Sequence, residues 1–337
     1  MASNAPSPGP SDPRVVAVLG ASGRVGAASV DAFRAAGWSV LAVVRPGRAL
    51  GSRDGVETRA ADARDPEALA EACRGAAVIV NGLNPPYPEW PAKALPLAEA
   101  ALHAAEATGA TLLFPGNVYN YGPELPPRLD PATPFDPGPN RKGAIRVQVE
   151  AALEAASRRG VQTLVLRAGD FYGVGTGSWM DLVLLGKLPR GRFTYPGPLD
   201  VEHAWAYLPD LARAFVRLAE ARHRFATFEA RCFPGHTLTG AELKALVEAA
   251  VGRPLKTGSV PWPLLRLAGL FSPMMREISE MAYLWRRPHR LVDPELEARV
   301  GALDPTPPER AVADAVRALH PEAVPPAGDR PNRPKPA

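Results

Sequence analysis

Apolar residues in the first half of the chain come in short continuous runs, set between longer stretches of helical spacing. Val15-Val16-Ala17-Val18-Leu19 is the first run and residues 38–45 (WSVLAVVR) the second. Residues 55–61 (GVETRAA), 76–80, 111–114 and 162–167 follow at regular intervals. Runs of this length, apolar on both faces, predict strands of a parallel sheet rather than half-exposed antiparallel ones. Between them, residues 25–36, 66–73, 91–108 and 141–159 carry helical periodicity, with Asp65 placed as an N-cap and Gly37, Gly109 and Gly160 as stops. Strands and helices alternating at this spacing predict an α/β fold, a doubly wound parallel sheet with right-handed crossovers.

The alternation breaks after Gly173. Shorter helical pieces follow at residues 178–185, 209–220, 241–251, 263–270 and 308–319, separated by Gly/Pro turns. They predict a smaller, mostly helical C-terminal lobe closing over one edge of the sheet, with room for a later segment to return and pair with it. The domain expectation is a sheet domain over residues 13–173 and a lobe over residues 174–320. Residues 1–12 and 321–337 are Pro-rich tails of the kind that stay disordered.

The first strand leads into Gly20-Ala21-Ser22-Gly23-Arg24-Val25-Gly26, and a helix opens directly after it. In that context the three glycines have separate physical jobs: a tight turn, close approach of a pyrophosphate, and close packing of helix on strand. The helix N-terminus adds free N–H donors for phosphate oxygens. Arg45 and Arg48 follow the second strand, where a carboxylate would hold an NAD ribose. A guanidinium suits a 2′-phosphate instead, so NADP(H) is the favoured cofactor and NAD(H) the alternative. Two loops, residues 81–87 and 115–122, leave the carboxyl ends of central strands, the edge at which open α/β sheets bind ligands.

Composition narrows the classes without changing that picture. The 337 residues are 46% hydrophobic and 22% charged, as in ordinary globular chains, and the net charge of +4 is scattered. No basic block or aromatic platform points to nucleic acid, and no apolar stretch is long enough to span a bilayer. Two widely separated cysteines give neither a metal motif nor a disulfide framework, and fit a reducing cytoplasm.

The order of these features resembles the extended short-chain dehydrogenase/reductase family, the NAD-dependent epimerase/dehydratase group. The resemblance rests on Gly20, Gly23 and Gly26, on Asp62 and on Asn81-Gly82-Leu83. It continues through Tyr121-Gly122, Glu150, the RAGDFYG segment from Arg167 to Gly173, residues 206–212 and residues 293–307. It implies that the glycine loop holds the pyrophosphate, with Asp62 near the adenine. Asn81, Gly82 and Leu83 would lie near the nicotinamide-side ribose. It also implies a Tyr and, four residues later, a Lys ahead of the helix glutamate, with a Ser or Thr nearby. Counted back from Glu150, those positions hold Lys142 and Arg146, and the Ser/Thr position holds Asn117.

Three readings of this departure stand side by side. Lys142, its charge perturbed by Arg146 one turn away, replaces Tyr as acid/base while Asn117 binds a substrate oxygen. Alternatively, Tyr119 or Tyr121 supplies the proton. Or the pair binds anionic groups only, and the protein is a non-catalytic NADP(H) regulator resembling NmrA-type sensors. The enzyme readings imply an oxidoreductase or epimerase/dehydratase-like enzyme acting on a small carbonyl or alcohol compound. Asp170 stands where sugar-nucleotide enzymes of the group carry Asn, and a carboxylate repels a diphosphate. Trp179, Met180, Phe193, Tyr195, His203, Trp205 and Tyr207 offer an aromatic wall. Glu277 and Glu280 read as ion-pair partners of Arg276, Arg286 and Arg287 rather than metal ligands. No nucleic-acid or membrane partner is expected; a homodimer through the helices at 91–108 and 141–159 is.

Overall fold

Residues 14–324, apart from 52 and 174, are described by a computed structural model. The N-terminal tail and nearly all of the C-terminal one lie outside the described residues. The first half follows the predicted alternation: β1 (Val15–Leu19), α1 (Arg24–Ala35), β2 (Ser39–Val44), β3 (Val56–Ala60), α2 (Pro66–Ala72), β4 (Val78–Asn81), α3 (Trp90–Thr108), β5 (Thr111–Gly116), a two-residue β6 (Arg128–Leu129), α4 (Arg141–Ser157) and β7 (Thr163–Arg167). Caps fix the helix starts. Asp65 accepts the Ala68 N–H at 3.1 Å and Asn140 accepts the Gly143 N–H at 2.9 Å. The stops are glycines in the left-handed region, such as Gly109 at φ +69°.

The second half adds β8 (Asp170–Tyr172), β9 (Arg192–Tyr195), β10 (Glu202–Tyr207), α5 (Leu208–Ala221), β11 (Phe228–Cys232), β12 (His236–Thr239), α6 (Gly240–Val251), β13 (Lys256–Ser259), α7 (Trp262–Ala268), α8 (Pro273–Glu280), β14 (Arg290–Leu291), α9 (Pro294–Val300) and α10 (Pro308–Leu319). β11 does return: the main sheet has seven parallel strands in the order β11-β7-β5-β4-β1-β2-β3. The order reverses between β1 and β4, so the carboxyl edge there is the switch point where a ligand crevice opens. Residue 173 therefore does not divide the molecule cleanly, because α5 packs beside α1 on the main sheet. The lobe itself is mixed. It carries the three-stranded order β12-β10-β8 and the pair β13-β9 as well as its helices.

The core has two sheet faces and a lobe centre. Val16, Val18, Val40 and Val78 point to one face and pack on Phe33 of α1 and Leu211 and Phe215 of α5. Ala17, Leu19, Leu41 and Ile79 point to the other and meet the Ala-rich inner face of α3 and Leu153 of α4. The strand period of two divides the residues between these faces. In the lobe, Phe193, Tyr195, Trp205 and Trp285 pack with α6 and α10. Among the described residues no helix is long and apolar enough to cross a membrane.

Candidate active site

The glycine loop is built so that no side chain fits at its key positions. A Cβ on Gly26 would lie 2.2 Å from the Gly20 carbonyl oxygen, and one on Gly20 would lie 2.9 Å from that of Gly82. Gly82 faces the same restriction, its Cβ falling 2.6 Å from the Leu19 oxygen. β1, the loop, α1 and the exit of β4 thus approach at backbone distance. Gly20 has φ +65°, a conformation that favours glycine. Gly23 is the N-cap of α1, and Ser22 is exposed at the tip of the turn. The buried Asn81 accepts the Leu83 N–H at 3.0 Å through Oδ1, which shapes the chain leaving β4.

A cavity of about 510 Å³ opens from this loop along the carboxyl edge of the sheet. Gly23, Arg24, Val25, Gly82 and Leu83 form one wall, with Asn117, Tyr119 and Arg146 opposite. Tyr87, Trp90 and Phe114 complete that side, while Asp170, Trp179, Leu182, Met274 and Ile278 come from the lobe. A slightly larger hollow between α1 and α5, about 590 Å³, is lined mainly by alanines and exposed charges and holds none of the chemistry-bearing groups.

Arg146 is the central cation. Its guanidinium carbon sits 4.6 Å from the centre of the Trp90 ring and 5.5 Å from that of Phe114. Nε is buried without a hydrogen-bond partner, and the group has no carboxylate partner among the described residues. Burial draws its pKa below the ordinary guanidinium value, but arginine stays protonated. The Tyr87 and Tyr119 hydroxyls are hydrogen-bonded to each other at 2.9 Å. Burial pushes Tyr87 up to about 12 and Tyr119 well above its usual range, so both phenols remain donors at neutral pH. Asn117 Oδ1 accepts the Tyr119 N–H at 3.0 Å, which leaves its amide Nδ2 free to donate. Asp170 Oδ2 lies 2.9 Å from His203 Nε2, and that imidazole stacks on Trp285 at 4.4 Å.

Two residues predicted for the chemistry do not line the cavity, although Lys142 Nζ lies 5.3 Å from the centre of the Tyr87 ring behind its wall. Lys142 is fully buried, and its Nζ is held by Glu277 and Glu280 at 2.5 Å each; it does not line the cavity. The partners expected for those glutamates, Arg276, Arg286 and Arg287, are replaced by Lys142, with Arg141 3.5 Å from Glu277. Tyr121 also turns away. Its hydroxyl accepts from Arg167 at 3.3 Å, and Arg167 is paired with buried Glu150 at 2.8 Å. That network fixes the loop carrying Tyr119, since Asn120 donates to Glu150 at 2.8 Å.

At the adenine end, Arg45 and Arg48 are exposed beyond β2 with no side-chain partner among the described residues. Asp62 follows β3 and is paired with Arg64 at 2.6 Å, which holds its carboxyl at about 2. Tyr87 and Trp90 went unnamed by sequence as site residues. The signal available was their position just after a loop leaving a central strand, but an isolated three-residue turn, Tyr87–Glu89, has no periodicity to read. Gly143 was missed as well. A Cβ there would lie 2.5 Å from the Tyr119 oxygen, so this glycine lets α4 close on the tyrosine loop.

Comparison with known proteins agrees with this geometry. A family model described as NAD dependent epimerase/dehydratase family matches residues 16–229. A curated relative from a Streptomyces species, 3-diazoavenalumate denitrifying reductase, is 34% identical over 195 residues, covering 52% of this chain and 63% of the relative. The match therefore spans less than two thirds of that protein. A nucleoside-diphosphate-sugar epimerase from Pseudomonas aeruginosa superposes with a TM-score of 0.70 at 19% identity, over 91% of this chain and 98% of that one. MoeE5, solved with UDP-glucuronic acid and NAD, gives 0.71 at 16% identity, over 91% and 99%. At these identities the structures establish a shared fold.

Proposed function

The chain belongs to the NAD dependent epimerase/dehydratase family, and within it we propose an NADP(H)-dependent reductase of a small, flat, electron-poor compound. The observation that carries the reading is the unpartnered Arg146 guanidinium on the cavity wall beside a pair of protonated tyrosines. The residues present fit a dinucleotide. The backbone cradle of Gly20, Gly26 and Gly82 excludes side chains, and the α1 N-terminus offers donors for the pyrophosphate. Arg45 and Arg48 would hold the 2′-phosphate, with Asp62 near the adenine. Arg146 takes the place the family gives to a ribose-binding lysine. When bound, the dinucleotide supplies a hydride from its nicotinamide ring.

The chain's own residues supply the rest. Trp90, Phe114 and Trp179 exclude water and favour a planar substrate. Asn117 can donate from Nδ2 to a substrate heteroatom. The tyrosine pair serves as acid: their pKa values are raised, so they give up a proton only to a centre that has gained electron density. At neutral pH both phenols are protonated, the state in which they can act as the acid of a reduction. Asp170 disfavours a diphosphate-bearing substrate through like-charge repulsion. The relative from Streptomyces, named as a reductase of a diazo compound, supports that reading, and diazo compounds join aryl aldehydes as acceptors to try.

The test is calorimetric titration with NADPH and NADH, then NADPH absorbance with those acceptors, in the parent and in Arg146→Met. Loss of charge-assisted hydrogen bonds worth about 1.5–3 kcal/mol should weaken NADPH binding roughly tenfold to a hundredfold. Arg146 is half-buried, has no ion-pair partner among the described residues and stacks on Trp90 and Phe114, so its removal should change stability by no more than about 1 kcal/mol. Tight NADPH binding without turnover of any acceptor would favour the sensor reading. Absence of binding would remove the proposal.

A further inference from the structure

Among the described residues, the large hydrophobic side chains left exposed are Leu182, Leu264, Leu267, Leu270, Phe271 and Met274. Five of the six lie on the α7–α8 hairpin. Phe271 and Leu270, at its tip, are 87% and 72% exposed. Leu182 and Met274 also line the cavity, so the apolar surface runs from the hairpin into the candidate active site. A contiguous patch of this kind marks an interaction surface rather than chance exposure.

We propose that this hairpin docks the protein on an anionic lipid surface, with Leu270 and Phe271 entering the boundary between headgroups and acyl chains. Three observations select that occupant. First, the tip's backbone donors are already satisfied: the N–H groups of Leu270, Phe271 and Ser272 donate to Leu267 at 3.1 Å, Ala268 at 3.1 Å and Ala268 at 2.9 Å. Entry into a region poor in water then leaves those donors paired. Second, the hairpin is stiff. A Cβ on Gly269 would lie 3.0 Å from the Arg276 Cα, so the two helices close tightly, and Lys142 clamps α8 through Glu277 and Glu280.

Third, the exposed charge is of one sign. Arg266 and Arg276 are exposed and have no carboxylate partner among the described residues. The hairpin's two acids, Glu277 and Glu280, are the ones bound by Lys142. An apolar tip flanked by free cations matches an anionic bilayer surface. It is a poorer match for a second copy of the same hairpin, which has no free acid to offer Arg266 and Arg276.

The experiment is co-sedimentation of the full chain with vesicles of phosphatidylcholine alone and of phosphatidylcholine mixed with phosphatidylglycerol. The parent should bind the anionic vesicles and leave the neutral ones. Arg266→Glu with Arg276→Glu should weaken that binding by at least about thirtyfold, each cation near the surface contributing about 1 kcal/mol. Leu270→Asp with Phe271→Asp should abolish it. Both tip positions are solvent-exposed, so circular dichroism should show an unchanged fold. Two results overturn the proposal. One is parent protein that stays in the supernatant with anionic vesicles. The other is sedimentation equilibrium showing a dimer that the tip variant dissociates, which would make the patch a contact between copies.

Discussion

Lys142→Met separates a structural lysine from a catalytic one. The Lys142 side chain is 0% exposed and its Nζ bonds two carboxylates, of which Glu277 is 6% exposed and Glu280 21% exposed. Methionine fills nearly the same volume, so the change removes charge and little packing. It leaves Glu277 buried with only Arg141, at 3.5 Å and largely solvated, as a neighbour. Breaking one side of a buried pair costs about 3–5 kcal/mol, and the partial exposure of Glu280 sets the expectation near the lower end, about 3 kcal/mol. With a urea slope of about 3 kcal/mol/M, the midpoint should fall by about 1 M. Adding Glu277→Gln and Glu280→Gln should recover most of the loss, since the stranded charges are gone. NADPH affinity should be retained. A Lys142→Met variant that keeps the parent's urea midpoint and loses turnover would make this lysine catalytic rather than structural.

Other consequences follow from the same geometry. Burial raises all seven tyrosines: Tyr87, Tyr119, Tyr121, Tyr172, Tyr195, Tyr207 and Tyr283. Their folded-state pKa values exceed the unfolded value of about 10, so the unfolded chain binds fewer protons there and stability falls as pH rises through about 10 to 12 and beyond. Phenolate absorbance should appear together with loss of far-ultraviolet ellipticity; a normal phenol titration in a folded protein would contradict the burial. Gly26→Ala drives a Cβ into the Gly20 oxygen at 2.2 Å and the Ala21 Cα at 2.8 Å. It should cost about 1–3 kcal/mol in thermal denaturation and abolish NADPH binding. Arg45→Asp should lower the NADPH-to-NADH affinity ratio by about tenfold or more in calorimetry, because under the proposed function a cation set to hold the 2′-phosphate becomes a repelling anion.

The sheet and the glycine loop were legible because both are written locally. A buried parallel strand needs a continuous apolar run, and a βα turn at backbone contact needs glycine, as the clashes at Gly20 and Gly26 show. The lobe was harder. Its strands are short, and β10, Glu202–Tyr207, buries a histidine among aromatics instead of alternating. Lys142 misled for a different reason. Counting from Glu150 sets residues 142 and 146 one turn apart on α4, but what a side chain faces depends on what packs there. The carboxylates that claim Lys142 are 135 and 138 residues further along the chain. Arg146 lines the cavity because its neighbours, Trp90 and Phe114, belong to elements that the sheet topology already brings together.

Residues 142 and 146 share a helix face, yet one is sealed and the other lines the cavity, and α8 is the cause. It covers the first turn of α4 through Glu277 and Glu280, while its Met274 and Ile278 form part of the cavity wall. Under the proposed function, the acid/base role that the resemblance assigns to a helix position falls to the loops. Tyr87 comes from the chain after β4 and Tyr119 from the chain after β5, and Gly143 allows α4 to close on the latter. The same short helix therefore sets three things at once: the fate of Lys142, the lobe side of the cavity, and the base of the exposed hairpin. Loosening it by breaking the Lys142 pairs must consequently register at the cavity wall and at the hairpin tip together. Hydrogen exchange in Lys142→Met should rise across residues 262–280 while the main sheet stays protected.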